Sequence, residues 1–328
     1  MRAVLIVNPT ATTTTPRQCD VLVSALAAEV DLSVTHTTGR GHAAVLAQEA
    51  AATGVELVVC LSGDGTINEV VNGILTATSS AELSGRSTET APMLGIVPGG
   101  STNVFSRALG LPRDPVEATG ALLEAIRHQQ SRTVGLGKID DRWFTFCAGV
   151  GFDADVVRHV ESRRRSGSRS TARLYARVAA AQYARRIRTG SPGLTLTEHD
   201  GRRHRLSMAV VQNTSPWTYL GSRPIHGSGT ASFDTGLDVM GLASLAPGVL
   251  ARSVIGLLRT RAPVGNGVVT LHDASTLTIC ADRPVAVHVD GDFIGEREIA
   301  TFSAAPAALR VAMPYAQGAD VMPHPELH

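Results

Sequence analysis

The β-branched run Val55–Leu61 opens directly into Ser62-Gly63-Asp64-Gly65-Thr66-Ile67-Asn68-Glu69, and Val70, Val71, Ile74 and Leu75 follow at helical spacing. Strand, tight turn and helix N-terminus in that order commit this stretch to an α/β fold with an anion-binding corner. Two glycines let the backbone approach an anion closely, and the first-turn N–H groups and helix dipole supply positive potential. Asp64 is a poor anion attractant, so its place between the glycines points to a metal ion or a proton that has to be managed.

The flanking sequence repeats the pattern. Val4–Val7, Leu32–Thr35, Leu57–Leu61 and Met93–Val97 are strand-like, while Gln18–Ala28, His42–Ala52, Val104–Leu109 and Pro112–Ile126 have helical character. Such alternation predicts parallel strands joined by crossover helices over 1–131. The polar stretch Thr78–Thr90 is expected to be a surface loop. From 132 to 305 the segments shorten. Val134–Ile139 with Trp143–Ala148, Leu194–Glu198 with His204–Val211, and Thr276–Ile279 with Val285–Val289 flank or precede Asp140-Asp141, Asp200-Gly201 and Asp290-Gly291, which predicts an antiparallel sheet or sandwich. Within it, 158–189 is helical and carries ten arginines with Glu161 as its one acid. A solvated arginine face and a contact with an anionic phospholipid surface are both open readings of that segment. The tail beyond Tyr315 is expected to be loosely ordered.

Composition narrows the function classes. A net charge of +1 excludes a uniformly basic nucleic-acid binder, and 4% aromatic residues do not make a stacking platform for single strands. The N-terminal apolar run is too short for a signal peptide, and nothing later approaches a bilayer span, so the expected location is cytoplasmic. Cys19, Cys60, Cys147 and Cys280 lack metal-ligand spacing, as do His36, His42, His226 and His288. Asp153 and Asp155 are not taken as metal ligands.

Nucleotide motifs are excluded one by one. Lys138 is the only lysine and Ile139 follows it, so no Walker A sequence exists; there is no complete G-x-G-x-x-G after the first strand, no H-E-x-x-H and no G-x-S-x-G. Phosphate would have to be held by backbone amides, hydroxyls and arginines. Three strand ends carry that equipment: Asn8-Pro9-Thr10, Gly63–Asn68, and Gly99-Gly100-Ser101-Thr102-Asn103. In an open parallel sheet they share the rim where ligands bind.

In their order and spacing, Asn8-Pro9, Ser62–Glu69, Pro98–Asn103 continuing through Phe105–Gly110, and Asp290-Gly291-Asp292 resemble the diacylglycerol kinase catalytic-domain family, which includes bacterial soluble lipid kinases and sphingosine kinases. The glycine-aspartate-glycine motif is shared with NAD kinases and, more remotely, bacterial 6-phosphofructokinases. The resemblance implies a Rossmann-like three-layer α/β nucleotide-binding domain, a C-terminal antiparallel β-sandwich that takes the lipid, a cleft between them, and a last strand near 306–315 returning to the first domain. It implies ATP and Mg²⁺ as cofactors, with ATP contacts at Asn8, Pro9, Thr10, Thr38, Gly63, Asp64, Gly65, Thr66, Asn68, Glu69, Gly100, Ser101 and Asn103. Asp64 and Asp234 would be metal-associated and Asp292 the general base, with Glu296 or Glu298 able to replace it.

This chain departs from the family at four places. Ser62 stands where glycine usually opens the glycine-aspartate-glycine motif. Its first loop has Ala11-Thr12-Thr13 in place of a glycine, its second metal loop reads Asp234-Thr235-Gly236 where Asp-Asp-Gly is usual, and Asp292 stands where glutamate is usual. The implied activity is transfer of the γ-phosphate of ATP to a lipid alcohol, diacylglycerol foremost. The implied partners are a lipid substrate and, transiently, an anionic membrane surface, with a homodimer admitted and no nucleic acid. Sphingoid bases or ceramide as acceptors, an NAD kinase, and a non-catalytic nucleotide- or lipid-binding regulator are the alternatives.

Overall fold

The computed structural model describes residues 1–9, 11, 15–83, 91–165, 172–259 and 262–314. Its first part runs β1 (Arg2–Val7), α1 (Pro16–Ala27), β2 (Asp31–His36), α2 (His42–Ala52), β3 (Leu57–Ser62), α3 (Asp64–Leu83), β4 (Met93–Pro98), α4 (Val104–Ala108) and α5 (Pro115–Arg127). The strands are parallel in the order β4-β3-β1-β2. All six residues of β3 are buried, because helices cover both faces of the sheet. Leu22 and Leu26 of α1 pack there with Leu122, Ala125 and Ile126 of α5. On the other face Ala43 and Ala47 of α2 meet Val70, Val71 and Ile74 of α3. Local sequence sets the helix starts: α1 opens on a Thr15–Gln18 capping box with Pro16 in its first turn, and α5 on Asp114 followed by Pro115.

The second part contains β5 (Ser131–Ile139), β6 (Arg142–Phe144), β7 (Cys147–Gly151), α6 (Phe152–Arg165), α7 (Ala172–Thr189), β8 (Leu194–Glu198), β9 (Arg203–Leu206), β10 (Met208–Gln212), β11 (Thr218–Leu220), β12 (Arg223–Ile225), β13 (Leu237–Leu242), α8 (Pro247–Leu258), β14 (Val268–Ala274), β15 (Thr276–Val289) and β16 (Asp292–Ala312). The order β14-β13-β10-β7-β15-β16 is antiparallel. β15 serves two layers: Leu277–Ala281 pair with β8, and Val287–Val289 with β7. Between the layers lies a core that includes Phe144, Val150, Leu196, Val211, Val239, Ile279, Val287 and Phe302. Alternate residues of β10 and β13, Met208, Val210, Met240 and Leu242, face the other way, into a cluster with Val160 of α6, Val178 of α7 and the partly buried Val249 and Leu250 of α8.

β16 ties the halves together. Val311 pairs with Leu94 of β4 in parallel and with Arg132 of β5 in antiparallel.

Three sequence expectations change. Thr78–Thr90 is not all loop: α3 continues to Leu83, with Thr78 Oγ1 donating to Ile74 O at 3.0 Å, and 84–90 lie outside the described residues. Trp143–Ala148 is broken after Phe144, because the N–H groups of Thr145, Phe146 and Cys147 all turn to the carboxylate of Asp290. The segments around Cys280 and Val285 are one strand, irregular between those residues, where Pro284 has no N–H to donate. In the basic segment, helix extends through Arg165 and resumes at Ala172; 166–171 and 315–328 lie outside the described residues.

Candidate active site

The ends of β1, β3 and β4 meet on one rim, and their turns are cross-linked. Asn8 Nδ2 donates to Thr66 Oγ1 at 2.9 Å, and Gly99 N donates to Ser62 O at 2.8 Å. Gly63 and Gly100 touch backbone to backbone: a Cβ on Gly100 would stand 2.6 Å from Gly63 Cα and 2.7 Å from Asn103 Oδ1. Glycine is required there by close approach. Asn103, in the left-handed region at φ 51°, closes its own turn by accepting from Gly100 N at 2.9 Å and donating to Gly100 O at 2.8 Å. Ser101, Pro9 and Thr38 are exposed. Thr38 N and Oγ1 each lie 3.0 Å from His42 Nδ1. Thr10 lies outside the described residues.

Asp64 opens α3 and reaches across to the third turn. Its Oδ2 accepts from Val104 N at 2.9 Å and its Oδ1 from Phe105 N at 3.1 Å. It therefore caps α4, a task Asn103 does not perform because its side chain is occupied with Gly100. Burial pushes the Asp64 carboxyl up to about 6; Asp290 adds to this, while the two backbone N–H groups and Arg107 oppose it.

Two residues expected to contact nucleotide are committed elsewhere. Asn68 is buried. Its Nδ2 donates to Trp143 O at 2.9 Å and Asp290 Oδ2 at 2.8 Å, and its Oδ1 accepts from Arg142 Nη2 at 2.9 Å and Asn72 Nδ2 at 3.2 Å. That uses both amide hydrogens and both lone pairs, so its side chain joins α3 to the second half and has none left for a ligand. Glu69 accepts from Gly41 N at 2.8 Å and Ala43 N at 3.3 Å, capping α2.

Asp290 is the other end of the Asn68 tie. Besides that amide it accepts from Thr145 N, Thr145 Oγ1, Phe146 N and Cys147 N at 2.7–3.1 Å. Burial raises its pKa against the pull of those donors. Asp292, two residues on, comes over the glycine turn: a Cβ on Gly65 would lie 3.1 Å from Asp292 Oδ2. The same oxygen is 4.0 Å from Arg40 Nη2. Arg40 also pairs with Glu161 and donates to Phe293 O at 3.4 Å, and Glu161 Oε2 accepts from Phe293 N at 3.0 Å. Sequence reasoning gives no site role to Arg40 or Glu161; the Gly39-Arg40-Gly41 spacing beside Thr38 is the one local signal for the first, and its place as the one acid of 158–189 is that for the second. Beside Arg40 a cavity of ≈ 670 Å³ opens between the halves, lined by Asn72, Arg142, Phe293 and Arg297 among others.

Mg²⁺ needs one or two carboxylates and takes its remaining ligands from phosphates and water. Asp64 fits a supporting role, since each of its oxygens keeps a lone pair beyond the one used by α4. Asp234 fits poorly: its Oδ2 is 2.8 Å from Arg132 Nη2, and that guanidinium already neutralises it and would repel a cation. Among the described residues no three His, Cys, Asp or Glu side chains group as a ready-made metal cage. Glu296, an alternative base, is paired with Arg158 at 2.5 Å.

Residues 2–139 match the family model for the diacylglycerol kinase catalytic domain. Among curated proteins, a diacylglycerol kinase of Bacillus subtilis is 34% identical over 165 residues, 49% of this chain and 50% of that protein. A Chromohalobacter salexigens protein named as a probable lipid kinase, YegS-like, is 38% identical over 126 residues, 38% of this chain and 36% of that protein. The match thus spans half or less of these relatives' length. Over the whole fold, the crystal structure of a Bacillus anthracis diacylglycerol kinase superposes with a TM-score of 0.69 at 24% identity, covering 95% of this chain and 97% of that one.

Proposed function

We propose that this chain, whose residues 2–139 match the family model for the diacylglycerol kinase catalytic domain, is an ATP-dependent lipid kinase that phosphorylates the hydroxyl of a lipid alcohol, with diacylglycerol as acceptor and phosphatidic acid as product. The observation that carries this reading is Asp292 Oδ2 standing over Gly65, which brings a carboxylate from the second half to the phosphate turn of the first. Phosphoryl transfer is mainly positioning and charge stabilisation, with a base to take the hydroxyl proton. The backbone around Gly63–Thr66 and Gly100–Ser101 would cradle the phosphates, with Asn8 and Thr66 holding the first turn against the second. Asp292 accepts the acceptor's proton, and Arg40, 4.0 Å from that carboxylate, faces developing charge. Mg²⁺, supported by Asp64, would neutralise phosphate oxygens when bound. The arginines of α6 and α7 supply a peripheral contact with anionic lipid.

The test is transfer of labelled phosphate from ATP to a panel of lipid alcohols. We expect transfer to diacylglycerol, lost in Asp292→Asn while nucleotide still binds. No transfer to any lipid alcohol would sink the assignment, and normal transfer by Asp292→Asn would place the base elsewhere.

A further inference from the structure

α8 is turned inside out for a helix in water. It buries Ser253, 3% exposed, whose Oγ has no hydrogen-bond partner, and exposes Val254 at 43%, Ile255 at 49% and Leu258 at 46%. Those three aliphatics, with Ala251, fall at i, i+3, i+4 and i+7, one stripe along one side. The opposite side already rests on the cluster through Val249 and Leu250, so the stripe is a second apolar face beyond the one the core uses.

Charge says what can cover it. No acid occurs between Asp238 and Asp273, and Arg252, whose Nη2 donates to Asn266 O at 2.6 Å, and Arg259, seven residues on, border the stripe along one side. α7, which packs into the same hydrophobic cluster through Val178, comes from another acid-free stretch, between Glu161 and Glu198, and carries Arg173, Arg177, Arg185 and Arg188, besides Arg186, which is paired with Asp155. An apolar stripe bordered by arginines and free of carboxylates matches the boundary between anionic headgroups and acyl chains. A second copy of this chain would bring arginines against arginines.

We propose that α8 is an interfacial anchor: it lies in the plane of an anionic phospholipid surface, with Val254, Ile255 and Leu258 among the upper acyl segments and Arg252 and Arg259 at the phosphates. This deepens the lipid-kinase reading by naming the surface on which the enzyme meets its substrate.

The test is sedimentation of the full chain with vesicles of phosphatidylcholine containing phosphatidylglycerol, and with phosphatidylcholine alone, without ATP. Ile255→Ser with Leu258→Ser should lower partitioning onto the anionic vesicles by at least about tenfold. Val116→Ser, at a 61% exposed valine of α5, should leave it unchanged. Ile255→Trp should show blue-shifted emission, quenched by brominated acyl chains, on anionic vesicles. Unshifted emission from bound protein, equal losses from the Val116 and α8 variants, or a dimer that the double serine variant dissolves would each overturn the proposal. Because binding is read without ATP, it can hold even where no lipid alcohol is phosphorylated, and transfer to a dispersed acceptor can hold where binding fails.

Discussion

Both oxygens of Asp64 are engaged by backbone N–H groups of α4, yet burial raises its pKa from 3.8 to about 6. A carboxyl with a raised folded pKa holds more protons folded than unfolded between those values, so its contribution to stability grows as pH falls through 6 and levels off near 4. The melting temperature of the parent chain relative to Asp64→Asn should therefore rise from pH 7 to pH 4.5; a constant difference would show that the carboxylate is not strained. Transfer activity should be lost in that variant at every pH. Gly100 makes a sharper demand, because a methyl there meets Gly63 Cα at 2.6 Å. Gly100→Ala should part the two turns and weaken nucleotide binding by tenfold or more, measured by calorimetry, while circular dichroism stays native. The glycines and hydroxyls of this rim were legible because strand, turn and helix are local signals. The partner of Asp64 was not, since Val104 lies 40 residues away and only the packed turns bring it near.

At the scale of elements, caps from elsewhere in the chain decide which helices hold. α2 starts on Gly41 in the left-handed region, which has no side chain to cap it, and Glu69 of α3 supplies the carboxylate. Glu69→Ala should cost about 1 kcal/mol in urea unfolding. A larger loss of ATP affinity than of stability would return Glu69 to the nucleotide contacts. Periodicity found α3 but not its end, because Ser79, Ser80 and Thr78 look like loop composition although a helix can satisfy a threonine hydroxyl at Ile74 O. In the same way Asp290-Gly291 looks like a turn and is one, but the chain signal cannot show that the aspartate gathers five donors.

For the whole molecule, the Asn68–Asp290 bond closes a separation of 222 residues at 2.8 Å between α3 and the β15–β16 corner. Asp290→Ala leaves three backbone N–H groups, a threonine hydroxyl and the Asn68 amide without their acceptor, at roughly 1–3 kcal/mol for each group that water does not reach. Unfolding of that variant should shift to lower denaturant by several kcal/mol and separate into two transitions followed by tryptophan fluorescence and circular dichroism. One coincident transition would mean that β16 and the Arg40–Glu161 and Asn68–Trp143 contacts couple the halves without it. That coupling also bears on synthesis. β4 pairs on one side with β3 and on the other with Val311, near the end of the described chain, so the half made first leaves the ribosome with an open sheet edge. It keeps that edge until β16 has been translated, and during that interval it is the surface a chaperone would have to guard.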